Sequence, residues 1–183
     1  MTLLTICQDA AKIIGITAPS AVTSSTDTSV IQLEVRTYTW EILIKEGSHT
    51  TVAAESQGAI TSIASDWGRF SNNTIWNRTT NRKYYGPISG SEWQRIKAVV
   101  SGGITNYFRI RGGLLLMSPT PTSGESVKFE YVSKNWVDTS GGSTANADKF
   151  SGDSQTTVLE EELIVLGVVW RFLKLKGLPY DMQ

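Results

Sequence analysis

Apolar residues recur at three- and four-residue steps near the start of the chain. Leu3, Ile6, Cys7, Ala10, Ile13 and Ile14 form one stripe, which predicts a helix over Thr2–Ile14. Thr2 stands at the N-cap position and Gly15 where a left-handed C-cap belongs. Cys7 lies on the stripe and reads as a small buried hydrophobe rather than a reactive thiol. Residues 17–28 (TAPSAVTSSTDT) are a small, polar connector. Ser29 and Gln32 then have the spacing of a capping box, and Val30–Glu46 reads as a second helix ended by Gly47. Val30, Leu33, Trp40 and Ile44 fall on one face, and Ile31, Val35, Tyr38 and Ile42 on an adjoining one. A helix apolar on two faces is buried on several sides. Its β-branched residues, Val35, Thr37 and Thr39, also suit a strand.

From His49 to Trp136 the period changes, and glycines, Ser/Thr and aromatics punctuate short runs. Ala59–Ser65 and Thr74–Arg78 read as short strands. Ile104–Ile110 alternates, with Phe108 and Ile110 on one face and Tyr107, Arg109 and Arg111 on the other. Gly112-Gly113 supplies a two-residue turn able to take positive φ, and Leu114–Met117 returns, which predicts a hairpin. Glu125–Val132 alternates with Val127, Phe129 and Tyr131 inward and Lys128 and Glu130 outward. Ser89 with Glu92 resembles a capping box opening a short helix that carries Trp93 and Ile96. Residues 138–153 form a long polar loop, of a length that is usually functional or disordered.

The last element is a long helix. Thr157 and Glu160 have capping-box spacing. Glu160, Glu161 and Glu162 sit at its N-terminal end and Arg171, Lys174 and Lys176 at the other, which suits the helix dipole. Leu159, Leu163, Leu166, Trp170 and Leu173 run down one face, Gly177 caps it and Pro179 stops it. The architecture expected is α+β: N-terminal helices and a long C-terminal helix packed together, with a β-rich, barrel- or sandwich-like middle module. The segments are a helical pair over 1–48, the β-rich module with one short helix over 49–137, the polar loop over 138–153, and the C-terminal helix and tail over 154–183, all within one structural domain.

Composition narrows the function classes. The chain has 183 residues, enough for a substantial core, and 40% are hydrophobic, which excludes disorder over the whole length. Seventeen Lys+Arg balance 17 Asp+Glu, so the basic excess of a phosphate-gripping protein is missing and DNA is expected to pass nearby without being tightly held. One Cys and one His, His49, exclude a Cys/His zinc site built from this chain alone. No run reaches the apolar length of a membrane span, and Met1–Ile14 lacks the basic start of a secretory signal, so an intracellular, soluble protein is expected. His49 has no neighbouring nucleophile motif, and the paired glycines lack the P-loop and dinucleotide spacings. Asp66, Glu92, Glu125 and Glu130 form no distinctive carboxylate pair, and Asp138, Asp148 and Asp153 do not fit a calcium loop. The expectation is therefore no catalytic residues, no metal and no cofactor. Trp67, Phe70, Trp76, Tyr84, Tyr85, Trp93 and Tyr107 either fill the core or stack on sugars or bases. Core packing is the simpler reading. A β-rich glycan-binding or tail accessory module using Trp76 and Trp93 is the alternative.

Several stretches together carry a resemblance. They include Asp27–Leu33, Thr51–Gly58, Thr74–Thr79, Gly86–Ser89 with Glu92-Trp93, Tyr107–Gly113, Phe129–Lys134, Leu166–Arg171 and Lys176–Tyr180. In this order the chain resembles the head-to-tail adaptor (connector) proteins of tailed bacteriophages. The resemblance implies a structural, non-enzymatic virion protein at the head–tail junction, made in the host cytoplasm. It would form a homo-oligomeric ring, typically of twelve copies, beneath the portal protein. The ring would extend the DNA channel, let DNA pass through without specific binding, and present a platform to a tail nozzle or tail tube protein, with no membrane involved. Leu33, Trp40 and Ile44 of the second helix and Leu163, Trp170 and Leu173 of the last would then pack within and between subunits. Asp138, Asp148, Phe150, Leu178 and Tyr180 would meet the portal or tail. Such adaptors often continue past the last helix, so an arm docking on the portal would lie beyond Gln183.

Overall fold

Alternating apolar residues draw the chain between Ile44 and Ser133 into one curled, mixed sheet, a half-barrel. The computed structural model describes residues 2–22, 38–99, 105–142 and 144–179. It is α+β, and it divides into this β module and a helical unit made of Met1–Leu43 and Lys134–Gln183. The chain thus enters the module at Ile44 and leaves it at Ser133, a few residues before each boundary expected from sequence.

The strands of the module are β1 (Ile44–Thr50), β2 (Ser56–Ala59), β3 (Trp67–Phe70), β4 (Trp76–Asn77), β5 (Arg82–Tyr85), β6 (Asn106–Arg111), β7 (Leu114–Ser118) and β8 (Ser126–Ser133). They are ordered β1-β8-β4-β5-β6-β7-β2, with β3 also pairing β8. Every pair is antiparallel except β5–β6, whose connection carries the helix α3 (Gly90–Ala98), as a parallel crossover requires. The β6–β7 hairpin forms as expected, turning on Gly112 and Gly113 at φ +57° and +77°. On β8, Val127, Phe129 and Tyr131 point into the core, where Phe70 lies 5.1 Å from Phe129 and 5.3 Å from Phe108. Gly47 of β1 sits in register with Phe129, and a Cβ there would overlap the phenyl ring. Ser89 caps α3 by accepting from the Glu92 N–H, while the Glu92 carboxylate turns to Arg95 instead of closing a capping box.

Three expectations are corrected here. Residues 30–37 of the expected Val30–Glu46 helix lie outside the described residues, and the described part, 38–46, is no α-helix: Glu41–Leu43 is a 3-10 turn, and Ile44–Thr50 pairs with β8 over seven residues. A long ladder with β8 overrides local helix periodicity. The expected strand Ala59–Ser65 becomes one helical turn, α2 (Ile60–Ile63), started where the Ile60 N–H bonds the Gly113 carbonyl. The strand expected over Thr74–Arg78 contracts to Trp76–Asn77.

In the helical unit, α1 (Leu3–Ile14) forms as expected, with Thr2 accepting from the Thr5 N–H and Gly15 closing the left-handed C-cap. It buries Leu3, Ile6, Ala10 and Ala11, and it packs against α4 (Glu161–Lys176). Sixteen residues make α4 about 24 Å long. The expected Thr157–Glu160 capping box is absent: Thr157 accepts from the Leu159 N–H and donates to the Trp136 carbonyl, and the Glu160 side chain caps nothing. A two-stranded ladder, β9 (Val137–Asp138) with β10 (Thr156–Thr157), closes the base of the long loop. Thr2 bridges to Thr156, tying α1 to it.

Candidate functional site

Three features are measured against chemistry first. His49 donates to the Gln57 amide oxygen at 3.2 Å, and Gln57 in turn holds the Val52 N–H and carbonyl. No three His, Cys, Asp or Glu residues among those described are placed to share a metal ion. The densest polar cluster surrounds Asp66. Its Oδ2 accepts from Lys45 Nζ at 2.6 Å and Ser133 Oγ at 2.8 Å, and its Oδ1 from the Tyr131 hydroxyl at 2.7 Å. Burial would raise this carboxyl, but those three donors outweigh it and hold the pKa at about 2. Burial, and then the neighbouring carboxylate, push the Tyr131 phenol up to about 12. Every oxygen of the cluster is engaged within the module, and it joins β1, β8 and the approach to β3.

The helix α4 offers a surface of another kind. Its apolar residues lie on two opposite sides. Ile164, Val165 and Val169 are buried, while Leu163 is 53% exposed. Leu163, Leu166, Gly167 and Trp170 instead form one wall of an open apolar groove of about 560 Å³, whose other wall is Tyr38, Thr39 and Trp40. The Tyr38 and Trp40 rings meet edge to face at 6.2 Å. Lys174 Nζ lies 4.7 Å from the Trp170 ring and the Arg171 guanidinium 5.7 Å, so the groove ends at a cationic collar. A second hollow, of about 270 Å³, lies between α1 and α4 at Cys7, Ile14, Ile16, Val168, Phe172 and Leu175. Leu175 at its edge is 77% exposed and Ile13 of α1 57%. No helix among the described residues is long and apolar enough to cross a membrane.

The residues expected to pack within and between subunits divide. Trp40, Leu163 and Trp170 come together at the groove, and Leu173 is half-buried on α4. Ile44 is not on a helix with them; it opens β1 opposite Val132. Leu33 and Tyr180 lie outside the described residues. The residues expected to reach a portal or tail divide as well. Leu178 is 47% exposed just past α4. Asp138 is buried, its Oδ1 accepting from the Ser140 N–H and hydroxyl and from the Gly141 N–H. Phe150 is buried edge-on against Trp136, whose indole N–H donates to the Asp148 carbonyl at 2.7 Å. Among the described residues of the 138–153 loop only Asp138 and Phe150 are buried, and Phe150 is held by Trp136. Trp93, named with Trp76 for glycan stacking, is 1% exposed and unavailable, whereas Trp76 is 44% exposed.

Sequence reasoning missed the second hollow. Its signal was present: Ile164, Val168, Phe172 and Leu175 recur at helical steps on the side of α4 away from Leu163. No protein-family model matches the chain, and no curated protein matches it.

Proposed function

We propose that the protein is a structural subunit of a bacteriophage head-to-tail adaptor ring, seated beneath the portal, extending the DNA channel and receiving the tail. The observation that carries this reading is the apolar surface that the helical unit leaves open. Leu163 and Leu175 stand about 120° apart around α4 and are 53% and 77% exposed. A free subunit with a groove lined by Tyr38, Trp40, Leu166 and Trp170 exposes the kind of surface that marks an interaction site. Sister copies around a closed ring would cover it through a head-to-tail contact. The residue resemblance supplies the family, and the protein's work in it is assembly rather than catalysis.

Sedimentation of purified protein, with and without portal, tests the reading. A ring of fixed copy number that co-sediments with portal is expected, and Leu163→Glu abolishes it. A strictly monomeric chain that never joins portal-containing particles overturns it.

A further inference from the structure

The neutral total conceals a division of charge. Ten Lys/Arg and six Asp/Glu lie in Ile44–Ser133, against seven and eleven in the rest of the chain, so the β module carries +4 and the remainder −4. Four of the ten cations, Lys83, Arg109, Arg111 and Lys128, lie on the outer face of the sheet, the side opposite the Phe70–Phe108–Phe129 core. Trp76 of β4 points outward there, flanked in register by Lys128 of β8 and by Lys83 of β5. Tyr85 follows Lys83 on the same face, with the Lys83 ammonium 5.3 Å from its ring centre. Tyr85 pairs across to Tyr107 of β6, ring centres 6.3 Å apart, and Arg109 and Arg111 continue that face of β6. Trp76 is 44% and Tyr85 46% exposed.

From this arrangement we propose that the outer face of the sheet binds single-stranded nucleic acid. Two exposed aromatic rings on adjacent strands, Trp76 and Tyr85, with the half-buried Tyr107 beside them, offer stacking platforms, which every base accepts because every base has a π-face. Lys83 and Arg111 make no ion pair with any described acid and remain for phosphates, whereas the Arg109 guanidinium packs against Gly90 at the start of α3. Glu46, on the same face of β1, is occupied by Lys128 at 2.9 Å and Arg78 at 3.9 Å. Glu130 lies in register with Glu46, two residues along β8 from the aromatic row. A neutral sugar would use the rings and leave the cations idle. A duplex would use the cations and leave the rings idle, since its bases are already stacked. A single strand uses both. This inference stands on the sheet face alone and does not depend on the ring.

Fluorescence anisotropy of the full chain with a labelled oligothymidylate of about 16 nucleotides, at the long end of known site sizes, tests it. Binding that weakens with added salt is expected. Tyr85→Ala and Trp76→Ala each lower affinity about tenfold, Tyr85→Phe restores it, and Lys83→Ala reduces the salt slope by about one. Circular dichroism confirms that these surface variants fold. Absence of binding at about 100 μM, the weak end of non-specific association, overturns the proposal. So does equal binding of the annealed duplex with no effect of Tyr85→Ala, which would reduce the face to a phosphate contact. Capture of neutral oligosaccharides in place of the oligonucleotide, or a change of oligomeric mass in Trp76→Ala with no change in binding, overturns it equally.

Discussion

The β module and the helical unit use apolar side chains in opposite ways. In the module most of the core is its own: Phe108, Phe129 and Ile75 are at most 1% exposed, and the apolar residues left in solvent, such as Trp76, Tyr85 and Leu114, are 40–46% exposed. In the helical unit, two helices bury one side of each and leave Leu163, Leu175, Ile13 and Ile16 about half exposed or more. A sheet curled on itself covers its own concave side. Two packed helices have a convex outside, and a helix apolar all round has more apolar surface than one partner hides. The lesson is a division of labour: the module is equipped to hold its shape alone, and the helices are equipped to be covered.

The sharpest break of that contrast is Phe129→Ala. The ring fills the space over Gly47 and touches Phe70 and Tyr131, at centroid distances of 5.1 and 6.0 Å from those two. Its removal costs about 4 kcal/mol, the transfer term plus a cavity that a rigid sheet closes poorly. Denaturant unfolding followed by near-ultraviolet circular dichroism reads this as a large fall in the midpoint. A loss under about 1 kcal/mol would mean that the module is not the well-packed half of the molecule.

Asp66 comes next. Its carboxyl is held at about 2 in the folded state against 3.8 in an unfolded chain. A depressed acid stabilises fully above its unfolded value and loses that contribution as pH falls through the folded one. The module therefore loses about 2 kcal/mol between roughly pH 4 and pH 2. Asp66→Asn removes that slope, and it destabilises at neutral pH because one amide oxygen cannot serve Lys45, Tyr131 and Ser133 together. Unfolding midpoints of both proteins across this range check the sign. An unchanged slope in the variant assigns the acid sensitivity to other carboxylates. Gly113→Ala is smaller, about 1 kcal/mol. The site has open space around it, so the cost is only the φ of +77° that an L side chain resists.

What could be read from sequence follows how local the cause is. The caps of α1, the Gly112-Gly113 turn and the alternation of β8 depend on residues within a few positions of one another, and each forms as its pattern indicates. The identity of β1 does not, because Ile44–Glu46 becomes strand by pairing with Glu130–Val132, more than eighty residues away. Asp138 and Phe150 looked like surface residues of a polar loop, but Phe150 packs on Trp136 outside it and the Asp138 carboxylate turns back to Ser140 and Gly141. The groove was half legible. Leu163 and Trp170 lie on a stripe anyone can mark, but a helix with stripes on two sides does not say which of them its own chain will cover.

That ambiguity sets the smallest expected effect and the one that separates the two regions most cleanly. Leu163→Ala removes a side chain already half in water, so the stability of the isolated chain changes by less than about 0.5 kcal/mol. Ile164→Ala, one residue along and fully buried, costs about 3 kcal/mol. The adjacent pair thus reports the two sides of one helix. If the open groove is an assembly surface, Leu163→Ala weakens association with sister copies while leaving the unfolding midpoint in place, and sedimentation and denaturation move independently. If both variants destabilise the isolated chain equally, the groove is closed in solution and α4 is an ordinary core helix, and the contrast between a self-sufficient module and an under-covered helical unit fails.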